Sequence, residues 1–176
     1  DSIVMRLHPD EPLIIEGIHA LNPMLLNDDI DRDKLFRVYV SALTTLNIDD
    51  HNRIHTTDAR LLRRLVRDYE TRGASMEHTL SMWPSVRRGE EKWIFPYQEN
   101  ADALFNTTLV YEVSVLKKYV YPLLQEVPKE SPCYAAARDI TKVLNYFLDA
   151  DGIEDEIPPT SILREFIGGC TFYRKD

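Results

Sequence analysis

Asp58-Ala-Arg-Leu-Leu-Arg-Arg-Leu-Val-Arg-Asp-Tyr-Glu-Thr-Arg-Gly73 is the stretch on which the fold turns. At roughly 100° per residue, Arg60, Arg63, Arg64 and Arg67 fall within one arc of a helix, with Leu61, Leu62, Leu65, Val66 and Tyr69 on the opposite side. Asp58 is placed as the N-cap, Arg72 in the last turn and Gly73 as the stop. One face is built to pack and the other to meet anions. A charged face is most often only solvated, but this one is single-signed in a chain of net charge -8. Clustered arginines repel one another unless something negative lies over them, and arginine rather than lysine points to forked recognition of phosphate or carboxylate.

The 176 residues suffice for one domain with a real core. With 44% hydrophobic and 28% charged residues the composition is that of a soluble globular chain. The acidic balance argues against broad nucleic-acid or anionic-membrane binding, which needs a basic surface, and leaves room for a local basic pocket. Cys133 and Cys170 follow no metal-ligand or redox spacing, so two free thiols in a reducing cytoplasm are expected. No apolar run approaches the roughly 18 residues of a membrane span. The start, Asp1-Ser-Ile-Val-Met-Arg6, is not a signal peptide and reads as the interior of a larger protein.

Working outward from the helix, Leu35 to Ala42 (Leu-Phe-Arg-Val-Tyr-Val-Ser-Ala) is aromatic and β-branched, the composition of a strand. Pro12 to Gly17 is a continuous apolar run, predicted as a strand covered on both faces of a parallel sheet. Glu16 then stands at the carboxyl end of a strand, where open α/β sheets bind ligands, or it caps the next turn. His19 either reaches the same crevice or packs in its loop. Met24 to Lys34, with Asn27, Asp28, Asp29, Asp31 and Asp33, is an acidic surface connection without the glycine and terminal glutamate of a calcium loop. Leu46 to His55 carries His51 and His55 four apart, a spacing that permits one helix face and a metal but lacks the zinc-protease glutamate. The alternative is that they flank the entry to the arginine helix.

Beyond Gly73, Ala74 to Met82 is predicted as a short helix, and Trp83 to Glu91, punctuated by Pro84 and Gly89, as a loop. Trp93, Phe95 and Tyr97 alternate before Ala101 to Asn106, a third short buried strand. An arginine helix leading into a basic, aromatic loop between strands has the composition of a mobile cover over a phosphate site. Leu109 to Leu124 and Tyr134 to Leu148 are helices by their three-and-four apolar spacing, the first ended by Pro122. Asp149 to Pro159 is an acidic linker and Ser161 to Gly169 a last short amphipathic element. Strands separated by helices indicate an α/β fold with a helical extension.

Taken together, Ile15-Glu-Gly-Ile-His-Ala-Leu21, Arg60-Leu-Leu-Arg-Arg-Leu-Val-Arg-Asp68 with Arg72-Gly73, and Asn100-Ala-Asp102 resemble, in the same order, the uridine kinase and phosphoribulokinase family. Ala42-Leu-Thr-Thr-Leu-Asn47, Trp83-Pro-Ser-Val-Arg-Arg-Gly-Glu90 and Ile162-Leu-Arg-Glu-Phe-Ile-Gly-Gly169 narrow the likeness to the bacterial uridine kinase-like nucleoside-kinase branch. The resemblance implies a nucleoside-monophosphate-kinase-like (P-loop) α/β fold with parallel strands, an arginine-bearing lid at about residues 56–92 and a helical extension. It divides the chain into a core portion, 1–108, and the extension, 109–176. The implied activity is ATP-dependent transfer of phosphate to a hydroxyl such as the 5′-OH of uridine or cytidine, with magnesium.

Carried over by position, Glu16 matches the acid that helps hold magnesium through water. Arg67 and Arg72 match lid arginines that grip ATP phosphates, with Arg60 and Arg63 in support. Arg64 matches an arginine on the acceptor side, with His19 near the nucleoside. This agrees with phosphoryl transfer as positioning plus charge stabilisation. The sequence departs from the family where Ala74 replaces a further arginine and Met82 a polar nucleoside contact. No Gly-x-x-x-x-Gly-Lys-Ser/Thr phosphate loop occurs in these residues. The chain is therefore expected to be the carboxyl-terminal portion of a kinase, inactive alone, with a homodimer favoured by any exposed sheet edge. The rival readings are a non-catalytic nucleotide- or RNA-binding regulatory module and a metal-dependent hydrolase using His51 and His55.

Overall fold

The computed structural model describes residues 4, 6–26, 30–44 and 46–172. Asn27, Asp28 and Asp29 of the acidic connection, Thr45 and the opening residues 1–3 lie outside them. The order is strand β1 (Val38–Ser41), helices α1 (Thr56–Arg72) and α2 (Met76–Trp93), strand β2 (Ala103–Asn106), then helices α3 (Glu112–Gln125), α4 (Tyr134–Leu144) and the single turn α5 (Arg164–Ile167). Short 3₁₀ turns occupy Pro23–Leu25, Arg32–Lys34, Phe95–Asn100 and Ile153–Glu156.

β1 and β2 form a parallel pair with Val38 opposite Ala103 and Ser41 opposite Asn106. A parallel pair needs a crossover between its strands, and the α1–α2 hairpin is that crossover. Side chains fasten both ends of the pair. The Asp102 carboxylate accepts the Arg37 N–H at 2.8 Å, and the Asn106 amide both accepts the Leu43 N–H at 2.9 Å and donates to the Leu43 carbonyl at 3.0 Å. Tyr39 and Ser41 point into the protein, whereas Val38, Val40, Leu104 and Phe105 are exposed. The expected third strand thus forms, but it is not buried.

Pro12 to Gly17 forms no strand. Leu13, Ile14 and Ile15 are exposed, and Gly17 starts a turn whose carbonyl accepts the Ala20 N–H at 3.0 Å. A strand exists only by pairing its N–H and C=O groups with a neighbour, and among the described residues the sheet consists of β1 and β2. Glu16 therefore ends no strand.

The core lies among the helices. Leu61, Leu62, Leu65 and Val66 of α1 meet Met76 and Leu80 of α2, Val113, Leu116 and Val120 of α3, Ala137 and Leu144 of α4, and Phe166 of α5. Helices on both sides of position 108 share this one core. Tyr69, expected on the packed side of α1, is half exposed.

The segment expected as a loop after Met82 is helix instead. Ser75 caps α2, its hydroxyl accepting the His78 N–H at 3.2 Å. Met76, Thr79, Leu80 and Glu90 are buried and Trp83 packs on the core, a three-and-four spacing that continues past Pro84. Burial along one face outweighs the local breakers. The breakers still cost stability: Pro84 lacks an N–H for the helix ladder and Gly89 adds backbone freedom. Pro84→Ala is expected to stabilise by up to about 3 kcal/mol and Gly89→Ala by about 1 kcal/mol, because Pro84 is exposed and a Cβ at Gly89 meets nothing within 4 Å. Thermal denaturation checks this; a Tm that falls in both variants would contradict a continuous helix. Pro122 likewise lies inside α3, which runs on to Gln125.

Candidate functional site

α1 begins at Thr56 with His55 as its N-cap, so Asp58 sits in the first turn rather than capping it. Its end is as expected: Gly73 takes φ 62° and its N–H bonds to the Asp68 carbonyl. This left-handed turn reverses the chain into α2 and sets the arginine-bearing side of α1 against α2, α3 and α5.

Each of the five arginines meets a carboxylate of the chain itself. Arg60 Nη2 lies 2.6 Å from Glu90 of α2, a carboxylate shared with Arg87 at 3.0 Å. Arg63 donates from Nε and Nη2 to the two oxygens of Glu112 at 2.5 and 2.6 Å, and to the hydroxyl and carbonyl of Thr107 at 3.1 and 2.8 Å. Arg64 Nε and Arg72 Nη1 donate to opposite oxygens of Asp68 at 2.5 and 2.7 Å. Arg67 Nη2 meets Glu165 of α5 at 2.7 Å and its guanidinium lies over the Phe166 ring, 5.0 Å from the centroid. The anions that the face was built to meet are thus first of all internal.

Exposure separates the pairs. The Arg63 side chain is 12% exposed against 2% for Glu112, a buried bidentate clamp between α1 and α3. Arg67 and Glu165 are each 36% exposed, and Arg72 is 54% exposed over a buried Asp68. Exposed pairs are worth about 0–1 kcal/mol and exchange readily with a stronger anion. The Arg67 Nε is buried without a hydrogen-bond acceptor among the described residues. Arg63 spends all three guanidinium nitrogens on Glu112 and Thr107, and Arg60 ties α1 to the buried Glu90 of α2; Arg64 and Arg72 each use one nitrogen and have donors to spare.

Asp68 was not singled out by the sequence reading, although its position four after Arg64 and four before Arg72 is the spacing of helical ion pairs. Burial pushes its carboxyl up, but the Arg64 hydrogen bond and charge, with Arg72 and the Thr79 hydroxyl, reverse this and hold it below the ordinary 3.8. A depressed carboxyl contributes stability that is present above its unfolded value and lost as pH falls through the lower folded value. Asp68→Asn is therefore expected to flatten the acid limb of a Tm-against-pH profile below about pH 4. An unchanged acid limb would remove this linkage.

Glu16 and His19 are both exposed, and among the described residues neither forms a hydrogen bond or ion pair with α1. Among the described residues no group of three or more His, Cys, Asp or Glu is placed to hold a metal; magnesium at phosphates needs only one or two carboxylates, with waters and the phosphates completing its shell. His51 and His55 do not share a helix face either. His51 belongs to a turn closed by the bridge between Asn47 and Arg53, in which the Asp49 carboxylate accepts the N–H groups of His51 and Asn52 at 2.8 and 2.7 Å, whereas His55 is the N-cap of α1. The Asn52 side chain and these N–H groups hold Asp49 below its ordinary value.

Cys133 and Cys170 are free thiols, and no helix among the described residues is long and apolar enough to cross a membrane. Uridine kinases of Staphylococcus aureus strains JH9 and Newman are each 31% identical to the chain over 104 residues, covering 58% of it and 42% of their own length. The chain therefore spans less than half of these relatives by alignment. No solved structure matches it. The sequence model described as "Phosphoribulokinase / Uridine kinase family" matches residues 5–114, a stretch that contains both strands, the whole arginine hairpin and the Glu112 that clamps it. A match running through more than half of the chain, and through the whole helix that carries these arginines, makes the protein a member of the phosphoribulokinase/uridine kinase family.

Proposed function

We propose that this chain is the carboxyl-terminal portion of an ATP-dependent nucleoside kinase that transfers a phosphoryl group to a hydroxyl of a uridine- or cytidine-like acceptor in the cytoplasm. The observation that carries the reading is the family match through α1, whose Arg67 sits in an exposed, exchangeable ion pair and whose exposed Arg72 keeps donors that the buried Asp68 does not use. Phosphate oxygens accept charge-assisted, forked hydrogen bonds stronger than those of a surface pair, so an entering phosphate displaces Glu165 and draws on the donors that Asp68 leaves unused. In this reading α1 and α2 form the lid, Arg67 and Arg72 grip the donor phosphates, Arg64 faces the acceptor, and Arg60 and Arg63 anchor the lid to the body.

The sheet supports the carboxyl-terminal assignment. Parallel sheets are normally covered on both faces, yet Val38, Val40, Leu104 and Phe105 are exposed and no phosphate loop occurs in the 176 residues. The 176-residue chain is accordingly expected to phosphorylate neither uridine nor cytidine with ATP, while the full-length protein does so. A coupled ADP-release assay on both decides it: turnover by the chain alone defeats the assignment as an incomplete portion, and none by the full-length protein defeats the kinase reading. Calorimetric titration of the full-length protein with ATP and with RNA at two salt concentrations tests the RNA-binding alternative, because RNA affinity falls steeply with salt.

A further inference from the structure

We infer that Asp68 is a positioning residue that couples the donor and acceptor sides of the lid through one buried carboxylate. The inference rests on the kinase reading above and deepens it. Asp68 is 4% exposed, and its two oxygens are divided between two arginines. Oδ1 accepts from Arg72 Nη1 at 2.7 Å; Oδ2 accepts from Arg64 Nε at 2.5 Å and from the Thr79 hydroxyl at 3.2 Å. Among the described residues Asp68 is the one hydrogen-bond partner of either guanidinium.

Three consequences follow from this geometry. A free arginine samples many rotamers and loses that freedom when it grips a ligand; a carboxylate that is itself immobile removes part of the loss beforehand. The charges do not cancel either, since one carboxylate faces two guanidinium groups and leaves a net positive charge for a phosphate. Finally, Thr79 belongs to α2, and the Asp68 carbonyl accepts the N–H groups of Gly73 and Ala74, which form the turn between the helices. Any shift of α2 against α1 therefore moves Asp68, and with it Arg64 and Arg72 together. Two arginines assigned to different ligands respond as one unit.

Steady-state kinetics of the full-length protein, varying ATP and uridine separately, test this. Arg72→Ala is expected to raise KM mainly for ATP and Arg64→Ala mainly for uridine. Asp68→Asn, which keeps the shape but loses the charge, is expected to raise both KM values and to lower kcat/KM by roughly 10–100-fold, the scale of a small misplacement at a phosphoryl-transfer site. A Tm change with both KM values unmoved would show a purely structural carboxylate and overturn the coupling. Thr79→Val removes a single hydrogen bond and serves if Asp68→Asn does not fold; it must also raise both KM values, and if it leaves both at the wild-type level the proposal is lost. Arg64→Ala and Arg72→Ala variants with wild-type KM values would instead overturn the lid reading itself.

Discussion

Glu112→Ala is expected to destabilise the protein by about 3–5 kcal/mol, the cost of leaving one partner of a buried ion pair uncompensated. Arg63 would keep its charge in a site where its side chain is 12% exposed and where both Glu112 oxygens now accept from it. Glu112 also accepts the Leu109 N–H at 3.2 Å, so the entry to α3 loses a partner as well. For a chain of this size roughly 2–4 °C accompany each kcal/mol, which places the fall in Tm at about 6–20 °C. Replacing both partners by apolar residues of similar volume should recover much of the loss, because neither charge then needs burying. A Tm within about 2 °C of wild type for Glu112→Ala, the scale of an exposed pair, would show that the clamp does not hold the hairpin to the body.

Arg67→Ala in the full-length kinase should have the opposite profile. Removing one charge-stabilising donor from a transition state typically costs about 10²–10³-fold in kcat, so turnover is expected to fall by that factor with ATP as donor. Stability should change little. Arg67 contributes an ion pair with Glu165 in which both side chains are 36% exposed, and a cation–π contact to Phe166 at 5.0 Å, each worth about 1 kcal/mol or less at such a site. Thermal denaturation and single-turnover phosphorylation of uridine on the same preparation separate the two effects. A correctly folded variant with wild-type turnover rules out Arg67 as a grip on the donor phosphates.

The contrast between Arg63 and Arg67 also marks where the sequence stopped being legible. Both lie on one arc of α1 and read from the sequence as one phosphate-binding group, because helical spacing orders residues around an axis but says nothing of what stands opposite each. Glu112, Glu90 and Glu165 are brought to that arc from α3, α2 and α5, and no local pattern announces them. Asp68 is legible in principle, since its partners are four residues away on either side, but its burial is not. The run from Pro12 to Gly17 shows the reverse: its residues have the composition of a strand, yet composition supplies no partner strand, and the run stays unpaired in the described residues.

By itself the sequence determined the elements whose signals are local: the stop of α1 at Gly73, the apolar faces of α1, α3 and α4, the strands around Val38 and Ala103, and the family. Tertiary structure alone decided that α2 runs unbroken through Pro84 and Gly89, because a buried face from Met76 to Glu90 outweighs two local breakers. It also decided which arginines are anchors and which keep donors to spare. That distinction depends on desolvation: an ion pair sealed between helices is part of the scaffold, while the same pair left at the surface stays open to exchange with a stronger anion.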